Sequence, residues 1–359
     1  MHQFIGQNFT KPCCEFTEES SQTPNEYWHS NELAKIRNDL LTGKWPIGCK
    51  TCKTLEENNS KSLRQRSCEE YTIPSQPQVK YIDVRFSNKC NFACRSCEPI
   101  FSSRISKENS LHNLEEFYGY KLDKNYVNNS KQIANDVEKY LPTLEKIMFT
   151  GGEPTYIEEF YTILEKITDK DIQVCITTNA SLISKRFLEA VSKIKKLHIT
   201  ISLDAVGQPA EYIRYGTVWS TVEENIQKIL KLNCSVMFNS VITAYSLPHL
   251  DKLVDFIIEN EQNEYGADMY ICNNPSHLHP CVLPKKSRIR LTEVINYCIL
   301  KLTNSIRVED YRNCIDVLKD LKAQLSKNFY DEKKFKLFTD KLDKIRNQKY
   351  DNRNLWTNW

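Results

Sequence analysis

Between Val79 and Pro275 the chain alternates short apolar runs with longer amphipathic stretches. The short runs predict strands at 80–86, 145–150, 172–178, 197–203, 235–242 and 267–272. YIEEFYTILEKI, LISKRFLEAVSKI, VEENIQKILKL and LPHLDKLVDFIIEN lie between them, each with an apolar residue every three or four positions, which predicts helices. Such alternation predicts an α/β fold with a parallel sheet and helices outside it. Six strands are too few for an eight-stranded barrel. The connection from Glu98 to Thr143 is long, and NSKQIANDVEKYL within it reads as an inserted helix. After Pro284 three further helical patterns follow, at 286–303, 307–327 and 331–347, whose amphipathicity is that of a packing bundle. The expected division is an N-terminal unit over 1–75, an α/β unit over 76–283 and a helical extension over 284–359.

Alternation along the strands also sorts side chains by face. Asp83 shares a face with Arg85, and Cys175 with Thr177 and Asn179. His198, Thr200, Ser202 and Asp204 form a polar row. Polar faces on buried strands imply a ligand-lined cavity, although for Asp83 and Arg85 mutual pairing is an equal alternative. Arg214, in YIRYGTVW, is a site candidate or a partner in a surface ion pair.

Composition bounds the function. With 359 residues, 40% hydrophobic and 26% charged, the chain is long enough for a large core and ordinary for a globular protein. A net charge of +3 gives no case for nucleic-acid binding. No apolar run approaches the ~20 residues of a membrane span, and MHQFIGQNFTKPCC lacks a signal peptide's apolar core. A cytoplasmic location without a membrane partner is therefore expected.

Fourteen cysteines then require an explanation, because the reducing cytosol disfavours disulfides. Cys175, Cys234, Cys298 and Cys314 sit in apolar patterns and read as small buried hydrophobes. Cys272 and Cys281 bracket CNNPSHLHPC, with His277 and His279, which is either a connecting loop or a contributor to a site. Cys90, Cys94 and Cys97 in CNFACRSC are spaced to offer three thiolates to one iron–sulfur cluster, leaving one iron open to a small molecule. YIDVRFSN leads into them as a strand, and the carboxyl end of a strand is where α/β barrels carry chemistry. Near the N-terminus, PCCEF, the CxxC of Cys49 and Cys52, and Cys68 suggest a second metal site; composition alone favours zinc.

CxxxCxxC with FTGGEP, ISLDA and MFNSVIT in order after it resembles the radical S-adenosylmethionine (radical SAM) enzymes. The resemblance implies an open partial (β/α)6 barrel. It implies that Cys90, Cys94 and Cys97 hold a [4Fe–4S] cluster, and that S-adenosylmethionine is bound by Gly151, Gly152, Glu153, Ser202, Asp204, Arg214 and Asn239, the last sharing a face with Val241. Family members commonly carry an aromatic residue before the third cysteine; here Ser96 stands there, and Phe92 is the loop's aromatic. PCC, the Trp-containing helix start, the GxxP turn and CxxC resemble the SPASM and twitch modules, which implies an auxiliary cluster on Cys13, Cys49, Cys52 and Cys68, with Cys14 structural. The activity implied is reductive cleavage of S-adenosylmethionine to a 5′-deoxyadenosyl radical and removal of hydrogen from a substrate, peptide or protein over small molecule. An oxidative modification or cross-link, fed by a donor such as flavodoxin or ferredoxin, would be the outcome. The alternative is a zinc-binding or interaction protein without activity.

Overall fold

A computed structural model describes residues 2–71, 76–122, 129–167, 171–261, 265–326 and 332–349. Its strands are β1 (His2–Ile5), β2 (Thr10–Lys11), β3 (Tyr81–Val84), β4 (Ala93–Cys94), β5 (Lys146–Phe149), β6 (Gln173–Thr178), β7 (Lys196–Ser202), β8 (Arg214–Tyr215), β9 (Ser235–Ile242) and β10 (Tyr265–Ile271). The six strands expected from the sequence are all present, as β3, β5, β6, β7, β9 and β10, with ends that differ by a residue or two. The chain forms two compact units.

The first unit comprises Met1–Lys89, Asp123–Thr177 and Ser184–His198. Its strand order runs β2-β1-β3-β5-β6, then the opening residues of β7. The pairs β1/β3, β3/β5 and β5/β6 are parallel, with Ile5 beside Val84, Val84 beside Phe149 and Phe149 beside Ile176. Ile5, Ile82, Val84, Ile147, Phe149, Val174 and Ile176 are all buried, as expected of a parallel sheet covered on both faces. The helices Ser130–Tyr140, Glu158–Ile167 and Lys185–Val191 supply apolar stripes, Phe160 and Phe187 among them. β1 was not foreseen: HQFI is too short to carry a period, and its place in the sheet comes from the ladder to β3.

The second unit comprises Cys90–Leu122, Thr178–Ile183 and Ile199–Trp359. Here the end of β7 neighbours β9, which pairs in parallel with β10. The helices Trp219–Leu230 and Leu250–Glu259 connect these strands. Helices follow at Lys285–Thr303, Arg312–Gln324 and Glu332–Arg346, where the amphipathic patterns place them. A two-residue ladder, β4 against β8, sits apart from the sheet. The fold is α/β, a mostly parallel sheet with helices, as expected. Among the described residues no helix is long and apolar enough to cross a membrane.

Candidate functional site

The loop that follows β3 in the chain carries Cys90, Cys94 and Cys97, and the second unit fixes it at both flanks. Ser103 Oγ accepts from the Cys90 amide at 3.4 Å, and Ser102 Oγ donates to the Phe92 carbonyl at 2.8 Å. Ser102 also caps the helix Ser103–His112, so one helix start holds the beginning of the loop. The β4/β8 ladder then sets Cys94 opposite Arg214. Gly216, just past β8, has φ +107°, and a methyl group there would come within 2.9 Å of the Asn91 carbonyl. Only glycine permits that approach.

Burial pushes the Cys94 and Cys97 thiols up; Arg214 opposes this at Cys94, and the neighbouring Cys94 and Cys90 thiols add to it at Cys97. Cys97 thus lies within electrostatic reach of both Cys94 and Cys90. Arg214 is itself part of the site: its Nη1 is 3.0 Å from Asp204 Oδ2, and both side chains are buried. Of the two alternatives for Arg214, the ion pair is present, but it is internal rather than at the surface. Asp204 Oδ1 accepts from the Val241 amide at 2.9 Å, so both its oxygens have protein partners. Ser202 is half-buried. Asn239 Oδ1 is buried and has no hydrogen-bond partner among the described residues, an acceptor suited to a bound ligand.

The GGEP segment lies in the first unit. The Gly152 amide donates to the Ser87 carbonyl at 3.1 Å and the Glu153 amide to the Lys89 carbonyl at 2.9 Å. These bonds tie the glycines to the residues immediately before Cys90. Gly151 has φ +112°, and a methyl group at Gly152 would meet the Lys89 oxygen at 2.2 Å. Glu153 is buried and turns its carboxylate to Thr155, accepting from its amide and hydroxyl. Nearby, Thr150 Oγ1 donates to Asp83 Oδ1 and accepts from Arg85 Nε, so Asp83 and Arg85 meet through Thr150.

Cys13, Cys49, Cys52 and Cys68 all line one cavity of about 210 Å³ in the first unit, whereas Cys14 does not line it; Cys14 and Cys68 are both exposed. Local structure explains the convergence. Cys49 ends a short 3₁₀ turn and Cys52 follows in the helix Lys50–Glu57, three residues on and therefore on the same face. The Thr17 amide donates to the Gly48 carbonyl at 3.0 Å, joining the Cys13 turn to the Cys49 turn. Cys68 lies on the helix Leu63–Glu70, which starts at a Ser62/Gln65 capping box. Glu56 accepts from Ser62 Oγ at 2.5 Å and from Arg64 Nε and Nη2 at 3.0 and 2.5 Å, locking the Cys68 helix to the Cys52 helix. Burial pushes Cys13 and Cys49 up to about 11, so a metal must displace protons to bind there.

Two residues, His2 and Asn91, were not singled out in the sequence. His2 lines the same cavity; its ring stacks on Tyr81 at 4.0 Å, and both ring nitrogens are buried without a hydrogen-bond partner among the described residues. Asn91 donates to Ser181 Oγ and accepts from Asn179 Nδ2, bracing the loop between Cys90 and Phe92. Cys272 is buried against the carbonyls of Asn274 and Pro275, while Asn274 Nδ2 reaches Glu98, the residue after Cys97. Cys281 is buried in the next turn, its amide donating to His279 Nδ1. Cys175, Cys298 and Cys314 are buried and Cys234 is partly so. Among the described residues no three His, Cys, Asp or Glu side chains close around a single metal ion. A four-iron cluster instead takes one thiolate on each iron.

Cys90, Cys94 and Cys97 thus share one loop, braced at Cys90 by Ser103 and at Cys94 by the β4/β8 ladder. Residues 84–257 match the family model described as the Radical SAM superfamily, so this stretch is a radical SAM domain. Cluster and S-adenosylmethionine are the cofactors of the family. The chain is similar to the radical SAM cyclopropyl synthase TigE of Paramaledivibacter caminithermalis, 28% identical over 57% of this chain and 44% of TigE. It is also similar to the GTP 3',8-cyclase of Sulfurovum sp., 30% identical over 45% of this chain and 46% of the cyclase. It thus spans less than half the length of these curated relatives. Among solved structures it is similar to SuiB of Streptococcus suis bound to its precursor peptide SuiA, with TM-score 0.42 and 19% identity over 79% of this chain and 65% of SuiB.

Proposed function

We propose that this chain is a radical SAM enzyme with two clusters. One sits on Cys90, Cys94 and Cys97, and an auxiliary one on Cys13, Cys49, Cys52 and Cys68 in a SPASM- or twitch-like N-terminal segment. The observation that carries the two-cluster reading is the meeting of those four separated cysteines on one cavity, with Cys14 outside it. When bound, the loop cluster supplies the electron that cleaves S-adenosylmethionine to a 5′-deoxyadenosyl radical, which takes a hydrogen atom from substrate.

The chain's own residues have separate tasks in this reading. Gly151 and Gly152 let backbone approach the methionine part of S-adenosylmethionine, and Asn239 Oδ1 accepts a hydrogen bond from it. Arg214, held by Asp204, places positive charge beside Cys94. Ser202 faces the ribose. The substrate we favour is a peptide or protein side chain, oxidised or cross-linked, with a flavodoxin or ferredoxin as donor. Anaerobic reconstitution tests the reading: about eight irons per chain and a broad absorbance near 400 nm are expected. Colourless, zinc-loaded protein without 5′-deoxyadenosine formation would contradict it.

A further inference from the structure

Arg95 stands between Cys94 and Cys97, and its side chain is fully buried. Its Nη2 lies 2.5 Å from Asp343 Oδ1 and 3.1 Å from Gln348 Oε1, and its Nε donates to the Tyr212 carbonyl at 3.1 Å. Tyr212 Oη donates to the same Asp343 oxygen at 2.9 Å, and the guanidinium lies 3.8 Å from the Tyr212 ring centroid. The Arg95 amide is also fixed, donating to the Ile213 carbonyl at 2.8 Å. Two more residues of the helix Glu332–Arg346 reach the same region. Thr339 Oγ1 meets Tyr245 Oη at 2.7 Å, and Arg346 bonds Glu108 while lying over the ring of Tyr215 in β8. This helix lies outside the matched residues 84–257.

We propose that Asp343 is a positioning residue for radical initiation: it neutralises Arg95 and so sets both the seat and the electrostatic field of the Cys90–Cys97 loop. The proposal rests on the reading that this loop holds a cluster. A buried ion pair adds little net stability compared with apolar side chains of similar size, whereas removing one partner leaves a charge uncompensated. Here that charge belongs to the residue next to a cluster ligand. An uncompensated Arg95 favours the more negative, reduced cluster, so the potential rises when Asp343 loses its charge and returns when Arg95 loses its charge as well.

The test is redox titration of the reconstituted full chain, followed by the electron paramagnetic resonance of the loop cluster, with thermal unfolding and iron content measured beside it. Asp343→Asn should shift the loop cluster's midpoint upward with the N-terminal iron retained, and Arg95→Met/Asp343→Leu should bring it back to the wild-type value. An unchanged midpoint in Asp343→Asn, or the same shift in both variants, overturns the proposal. If Asp343→Asn loses the loop iron altogether, its recovery in the double variant supports the electrostatic role, and loss in both overturns it. Absence of a loop cluster from the wild-type chain would overturn the underlying reading instead, which separates the two failures.

Discussion

A methyl group at residue 152 would lie 2.2 Å from the Lys89 carbonyl oxygen, so Gly152→Ala must move backbone immediately ahead of Cys90. Overpacking of this kind costs about 1–3 kcal/mol. Gly152→Ala should lower the unfolding midpoint and weaken S-adenosylmethionine binding at least tenfold by calorimetry; unchanged affinity would remove the glycine from the cofactor's cradle. Asp83 gives a second residue-level test. Burial raises its carboxyl to about 6, against the pull of Arg85 and Thr150. The folded state therefore binds a proton that the unfolded state releases near pH 4, and the resulting stability is lost as pH rises from about 4 through 6. Asp83→Asn removes that loss. Relative to wild type, the variant should gain stability of the order of 3 kcal/mol between about pH 4 and 8. Parallel stability curves for the two proteins would show that Asp83 stays hydrated.

At the scale of elements, the auxiliary cavity depends on two short helices joined through Glu56. Its carboxylate receives both Ser62 and Arg64, so Glu56→Ala should free the Cys68 helix while leaving the Cys49–Cys52 turn in place. Iron at the N-terminal site should then be lost to a chelator several-fold faster, with loop iron unaffected; equal rates would show that Cys68 does not hold the cluster. Those two helices were not read from the sequence, whereas the six main strands were legible because each falls in a run of six to eight residues with a strand pattern. The cysteine spacings likewise identified the loop, since three thiolates at CxxxCxxC have a chemical reading without any structure. β1, β4 and β8 were not legible, being two to four residues long and fixed only by partners elsewhere in the chain. The same holds for Arg95 and Asp343, which are 248 positions apart. Nothing local to a charged residue says whether its partner is water or a buried carboxylate.

For the molecule as a whole, the account requires two thiolate sets that work separately, each set lying within a single compact unit. Cys13, Cys49 and Cys52 variants to alanine should each lose up to about four irons while 5′-deoxyadenosine formation persists, and Cys14→Ala should change neither, because its side chain lies outside the cavity. The most direct measurement is made on the Cys90→Ala/Cys94→Ala/Cys97→Ala protein: iron content together with dithionite-driven 5′-deoxyadenosine. The account predicts no 5′-deoxyadenosine and about four irons retained at the N-terminal site. Continued 5′-deoxyadenosine formation in that protein would contradict it.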